Sequence, residues 1–228
     1  MSKDVSFEIK ILYDNKCALP GFTMGFGFSA LIYNYSTNHY ILFDTGGNGD
    51  VLFSNLNKFN ITSTLITKVV ISHNHHDHSG GLSMVYMKNN EIEIYVPLIN
   101  ESIFKKRYPK SEVIGVQDSI EIDKDILSSG QFNTHSIAEQ FLILRLSDEK
   151  LFLLVGCAHP GLEHFIEYAR KLSPIKGIIG GFHGFNKFSY LEGIDFIGAC
   201  HCTQHMKRIQ QQFGNSLKQV CVGSTLKF

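Results

Sequence analysis

The chain has no excess charge of one sign, no long apolar run and no even set of cysteines. Each lack removes a class of protein. Lysine plus arginine and aspartate plus glutamate both number 21, for a formal net charge of zero. Broad electrostatic capture of nucleic acid or of an anionic membrane needs a one-sided balance, so neither partner is expected. No apolar run approaches the roughly 20 residues that span a bilayer. Met1-Ser2-Lys3-Asp4-Val5 leads directly into a strand-like segment, which reads as the absence of a secretory leader. The five cysteines, Cys17, Cys157, Cys200, Cys202 and Cys221, are odd in number and scattered. They read as reduced thiols of a cytoplasmic protein. Repeats, low-complexity tracts and linker-like stretches are also missing. With 43 % apolar and 18 % charged residues, a sizeable core is expected, and residues 1–228 are expected to form one α/β domain.

The patterns along the chain mix strands and helices. Strands are expected at 7–13, 66–71, 91–96 and 175–179, with short ones at 113–116 and 120–122 and another at 132–137. Hairpins are expected at 28–35/39–44 and 141–146/151–155, the second around Ser147-Asp148-Glu149-Lys150. Helical spacing marks 50–59, 161–172 and 203–213. Ser79 is a candidate cap for a helix at 80–87, and Pro97 a candidate first-turn residue for one ending near Arg107. A final strand is expected at 219–222. The glycine- and aromatic-rich loop 21–27 reads either as part of a pocket mouth or as a turn around a buried aromatic.

Histidine is abundant in one place. Val69-Val70-Ile71-Ser72 is followed by His73-Asn74-His75-His76-Asp77-His78-Ser79-Gly80-Gly81. In an extended loop, side chains two apart point the same way, so His73 and His75 can reach one cation together. Asp77 and His78 need a turn that aims them at a second point close by. Neutral imidazoles with an anionic ligand suit divalent cations, but this loop alone cannot close two sites. The missing ligands are expected on strand-end loops. Three such loops carry a histidine beside small residues: Gly156-Cys157-Ala158-His159-Pro160-Gly161, Gly180-Gly181-Phe182-His183-Gly184 and Cys200-His201-Cys202-Thr203.

His73-x-His75-x-Asp77-His78 after an apolar strand, with Asp44-Thr45-Gly46 upstream and single histidines downstream, resembles the metallo-β-lactamase-fold superfamily. The three later loops resemble a narrower subgroup that includes the archaeal dihydropterin–ribofuranosylaminobenzene 5'-phosphate synthase. The resemblance implies an αββα four-layer sandwich with metals at one edge. It implies His73, His75 and His159 as ligands of a first metal, and Asp77, His78 and His201 as ligands of a second. Asp44 would orient the ligand loop by hydrogen bonds. The chain departs from the superfamily where a metal-bridging aspartate usually stands, because Cys157 occupies that place. Cys157 is either a thiolate ligand or a small buried residue. Zinc is the default ion, with manganese, iron or magnesium as alternatives, and one or two ions are expected.

Other polar residues have plainer readings. His76 sits at a variable position of the motif and is not a ligand. His183 is either a pocket residue that contacts substrate or shuttles a proton, or a structural loop residue. His39, His135, His164 and His205 read as surface or scaffold. Cys200-His201-Cys202 lacks a second cysteine pair at finger spacing, which excludes a zinc finger. Lys105-Lys106-Arg107 reads as a solvated helix end, with phosphate binding as the weaker alternative.

The expected function is metal-dependent hydrolysis of a small ester or phosphoester, with Asp77 and His183 as catalytic residues. One alternative is a transferase that condenses a hydroxymethyl-dihydropterin with an aryl ribosyl phosphate. Another is a redox protein of the di-iron type. The expected partner is a small-molecule substrate, phosphorylated in some of these readings, and the oligomeric state stays open.

Overall fold

Apolar residues alternate along most strands, and the two sets go to different layers. The structure, a computed structural model, describes residues 5–134 and 136–228. Residues 1–4 and His135, which carried the leader and scaffold expectations, lie outside the described residues. The elements in chain order are β1 (Phe7–Tyr13), β2 (Ser29–Asn34), β3 (His39–Phe43), α1 (Gly49–Lys58), β4 (Ile66–Val70), α2 (His76–Ser79), α3 (Leu82–Lys88) and β5 (Glu93–Pro97). There follow α4 (Glu101–Arg107), β6 (Glu112–Val116), β7 (Ile120–Asp123), β8 (Ile126–Ser128), β9 (Phe132–Asn133), β10 (Ala138–Glu139), β11 (Leu142–Arg145) and β12 (Leu151–Val155). The last are α5 (Leu162–Arg170), β13 (Ile175–Gly181), β14 (Phe196–Cys200), α6 (Met206–Phe213) and β15 (Thr225–Lys227).

Among the described residues the strands form a seven-stranded sheet, β15-β1-β2-β3-β4-β5-β6, a six-stranded sheet, β14-β13-β12-β11-β8-β7, and a short β9–β10 pair. Ile41 and Phe43 of β3 and Leu142, Leu144, Phe152 and Leu154 of β11 and β12 meet in one buried cluster between the sheets. The alternate residues face outward. Leu42 and Val69 pack with Leu52, Leu56, Leu82, Val85 and Phe104 of α1, α3 and α4. Ile143, Leu153 and Val155 pack with Leu162, Phe165, Ile166 and Ile209 of α5 and α6. Period-two strands buried on both faces thus yield the expected four-layer αββα sandwich. No helix among the described residues is long and apolar enough to cross a membrane.

Strand direction places the functional loops. β3, β4, β5 and β6 run parallel, and β1 shares their direction through two antiparallel steps. β12, β13 and β14 run parallel in the other sheet. Asp14, Asp44 and the histidine loop therefore leave one sheet, and Cys157, His183 and His201 the other, all at C-terminal strand ends.

Several boundaries depart from expectation. Ser79 does not cap the following helix; it ends the one-turn α2 and its Oγ donates to the His75 carbonyl at 2.9 Å. Pro97 closes β5, and a 3-10 turn at Leu98–Asn100 precedes α4. Of the strand expected at 132–137, the described residues show only β9, Phe132–Asn133, which pairs with β10. The final strand is β15 on β1, not 219–222, where Val222 makes one isolated bridge to Ala18.

The cysteine reading needs correction for one pair. Cys17 and Cys221, 204 residues apart in sequence, form a disulfide, and Cys157, Cys200 and Cys202 are free. Parity cannot reveal a pair that only the fold brings together. In denaturant without reductant, three thiols should therefore titrate. Closing so long a loop should stabilise the fold by about 4 kcal/mol by its effect on the unfolded chain, read as the loss of stability on reduction. Five thiols titrating before reduction would overturn the pairing.

Candidate metal centre

The one-turn α2 solves the spacing problem of the histidine loop. Asp77 and His78 turn back toward the sheets, while His73 and His75 leave the extended segment before it. His73 and His78 are fully buried; His75 is exposed. His73 Nε2 lies 3.1 Å from His75 Nδ1, and the His159 ring packs against both, with centroids at 4.6 and 4.9 Å. On the other side, His78 Nε2 lies 3.2 Å from His201 Nε2 and 3.1 Å from Cys157 Sγ. An Asp77 carboxylate oxygen lies 3.3 Å from His201 Nε2 and 3.7 Å from His78 Nε2. The ligand-capable atoms of His73, His75 and His159 lie within 4.8 Å of one another, as do those of Asp77, His78 and His201.

The outer nitrogens of the buried His73, His78 and His201 rings and of the half-buried His159 ring are each held by an acceptor. His78 Nδ1 donates to Asp44 at 2.7 Å, His159 Nδ1 to Glu139 at 2.9 Å and His201 Nδ1 to Asn15 Oδ1 at 2.7 Å. His73 Nδ1 donates to Ser72 Oγ at 2.9 Å, and that hydroxyl donates onward to Asp44 at 2.7 Å. Each ring spends its one proton outward, so its Nε2 lone pair faces inward. His78 and His201 thus confront each other with lone pairs at 3.2 Å, a repulsive arrangement that an electrophile between them relieves. The donor set therefore fits divalent cations. Burial, then the neighbouring His78, pushes His73 down to about 3; burial, then His201, does the same to His78. Both present neutral, ligand-ready imidazoles. Burial alone would raise Asp77, but its hydrogen bond with His201 and the charges of His78 and His201 hold its carboxyl well below the usual range.

Asp44 is the hub on one side. Its carboxylate accepts from the Ser72 amide and hydroxyl, each at 2.7 Å, besides His78. Burial pushes it up to about 7, against the pull of His73 and Ser72. Asp44, Ala158, His183 and His201 all hold left-handed backbone, with φ of 55, 58, 40 and 46°. Such conformations are uncommon for non-glycine residues and concentrate at functional sites.

Four supporting residues escaped the sequence reading. Glu139, fully buried, accepts from the amides of Cys157, Ala158 and His159, each at 2.8 Å, and from the His159 ring. Burial opposes its ionisation, but His73 and His159 hold it down at about 2. Asp14 accepts from the His201 amide at 2.7 Å, Asn15 holds the His201 ring, and Ser72 links the His73 ring to Asp44. The one available signal was a carboxylate inside the apolar run Ile137-Ala138-Glu139-Gln140-Phe141-Leu142. Cys157 is buried with its sulfur at the centre, where a hydrogen bond with Cys202 and then burial push its thiol up. His183 is exposed at the rim, its ring 5.1 Å from His159; burial of its ring, then His159, lowers its pKa. Phe26 of the 21–27 loop is 70 % exposed and its ring is 5.8 Å from His201, so that loop sits at the mouth.

Two cavities flank the centre. One of about 340 Å³ is lined by His75, Asn74, Asn100, Ile99, Ile103 and Thr134. Another of about 240 Å³ is lined by His159, His183, Glu163 and Asn186. A larger one, about 470 Å³, lies beside Lys16, Met206 and Lys218 and contains none of the inward-facing nitrogens.

The family model for the metallo-beta-lactamase superfamily matches residues 23–139, from the mouth loop to Glu139. The uncharacterized protein MJ0448 of Methanocaldococcus jannaschii is 34 % identical over 236 residues, covering 86 % of this chain and 90 % of its own. The 7,8-dihydropterin-6-methyl-4-(beta-D-ribofuranosyl)-aminobenzene-5'-phosphate synthase of the same organism is 22 % identical, covering 82 % and 84 %. Among solved structures, the metallo-beta-lactamase fold protein YhfI of Bacillus subtilis superposes with a TM-score of 0.71 at 13 % identity, over 99 % of this chain and 100 % of that one. The short form of human tRNase Z superposes with a TM-score of 0.64 at 16 % identity, over 96 % and 98 %. The chain belongs to the metallo-beta-lactamase superfamily. That membership implies divalent-metal binding in a superfamily whose members are often metal-dependent hydrolases, and this chain also resembles a synthase.

Proposed function

We propose that this protein is a metal-dependent hydrolase of a small ester or phosphoester. The supporting observation is the set of inward lone pairs on His73, His78, His159 and His201, each fixed by an acceptor on its outer nitrogen. His73, His75 and His159 would hold one cation, and Asp77, His78 and His201 a second, with zinc as the default. Such cations supply Lewis acidity and, by lowering the pKa of water, a nucleophile at neutral pH. Asp77, kept ionised by its two histidine neighbours, accepts the proton of the attacking water. His183, exposed and beside His159, delivers a proton to the leaving group. The cavity beside His75 offers amides, two hydroxyls and three isoleucines, which suits a small substrate with a polar head and an apolar body. A single domain without a nucleic-acid partner, in the cytoplasm, completes the reading. The Cys17–Cys221 disulfide weighs against the last point, because such bonds are rare in reducing compartments.

The relative that is a synthase supports a second reading, condensation of a hydroxymethyl-dihydropterin with an aryl ribosyl phosphate. Protein purified without added metal should contain zinc or another divalent ion by elemental analysis. With that ion it should cleave chromogenic esters or phosphodiesters, and chelation should remove the activity. Condensation of the pterin pair without ester or phosphodiester cleavage would replace the first reading by the second. Full activity in metal-free protein would sink both.

A further inference from the structure

Cys202 is the reactive side chain at the centre that the proposed hydrolysis leaves without a task. It follows His201 directly, on the loop that leaves β14. Its Sγ lies 3.9 Å from the Cys157 carbonyl oxygen. The ligand-capable atoms of Cys157, His201 and Cys202 lie within 4.8 Å of one another. Gly181 makes the room for this sulfur, because a Cβ there would collide with Cys202 Sγ and with the Gly156 carbonyl. Cys157 Sγ is in turn 3.1 Å from His78 Nε2, whose other nitrogen is bound to Asp44. Two sulfurs from two loops and two inward imidazole lone pairs therefore share one floor, on the His201 side of the centre.

This chemistry differs from the oxygen-rich donor set that a bridging carboxylate would create. Thiolate and imidazole together favour borderline and soft cations, whereas magnesium and manganese prefer oxygen. Two sulfurs also supply the negative charge that a missing carboxylate would have supplied. Cys200, the third free cysteine, is buried in the core between the sheets and takes no part.

We propose that Cys202, together with Cys157, ligates the cation held by His201, making that position a sulfur–imidazole site that selects zinc, iron(II) or cobalt(II) over magnesium and manganese. Each thiol releases its proton to solvent as its sulfur takes up the cation, with no change of oxidation state. The inference rests on the metal-dependent reading above.

The test loads metal-free, full-length protein with cobalt(II) under anaerobic conditions and reads the near-ultraviolet sulfur-to-cobalt absorption alongside bound cobalt. The unmutated protein should show the band; Cys202→Ser should keep about half of its intensity, and the double variant with Cys157→Ser none. Because Cys157 is buried and its replacement can disturb folding, X-ray absorption at the zinc edge of unmutated protein gives a second readout. Sulfur should appear in the coordination shell. Bound cobalt with an undiminished band in Cys202→Ser, or a zinc shell of nitrogen and oxygen alone, would overturn this proposal while leaving the metal-dependent reading intact. Failure to retain any cation would overturn both.

Discussion

Replacing His75 with alanine is expected to strip the first cation and abolish turnover while leaving the fold intact. The ring of His75 is exposed and its contacts among the described residues are with His73 and His159, not with the scaffold. Its backbone role, accepting from the Ser79 amide and hydroxyl at 2.9 Å each, survives the substitution. Stability of the metal-free protein should therefore change by no more than about 0.5 kcal/mol. Loss of an outer partner of a metal ligand typically costs about 10- to 100-fold in affinity or activity, and loss of the ligand itself should exceed that. His78→Ala offers the contrast. That ring is fully buried between Asp44 and Cys157, so its removal should also cost about 3 kcal/mol of stability, as large-to-small changes in a packed interior do. Thermal unfolding, elemental analysis and turnover of both variants separate the two roles. A His75→Ala protein with full metal content and full turnover would exclude His75 as a ligand.

Glu139→Gln, although nearly isosteric, is expected to do more damage than most surface losses. One carboxylate oxygen accepts the Cys157 and Ala158 amides, and the other accepts the His159 amide and ring nitrogen. Glutamine can present only one acceptor oxygen. Whichever way the amide turns, its NH₂ group faces two buried donors. Each unsatisfied buried donor costs about 1–3 kcal/mol, so a loss of about 2–5 kcal/mol follows. The same change frees the His159 ring to rotate or to change tautomer, which should weaken metal retention by about 10- to 100-fold. Chemical denaturation of the metal-free variant and competition with a chelator for the metal-loaded one read the two effects separately. Unchanged stability and unchanged metal affinity would mean that Glu139 does not organise the 156–159 loop.

The histidine loop was legible because its information is local. His73, His75, Asp77 and His78 fall within six positions after an apolar strand, and the structure shows that a single turn, α2, suffices to aim them. Asp44 was legible through the family resemblance, which implies an aspartate at that strand end. Much of the helix and strand order was readable from periodicity, since most strands bury both faces in different layers, but β8, β14 and β15 were not expected. The boundaries that failed depended on long-range partners. Ser79 looked like a cap, but its hydroxyl is taken by the His75 carbonyl. The C-terminal strand is defined by its pairing with β1, which no local pattern near residue 220 announces.

By itself the sequence determined the class of chemistry: clustered imidazoles and a carboxylate at a strand end have little use except to hold cations. It also marked many of the strands and helices, because apolar periodicity is a property of neighbouring positions, whereas the four-layer arrangement was implied by the family resemblance. The tertiary structure alone decided which groups support that chemistry. Glu139 reaches the 156–159 loop across 18 residues, and Asp14 and Asn15 reach His201 across 187 and 186. The disulfide joins Cys17 to Cys221, and Cys202 comes beside Cys157 only because Gly181 leaves space. A hydrogen bond or a sulfur contact depends on separation in space, and the chain encodes that separation only through the packing of both sheets at once.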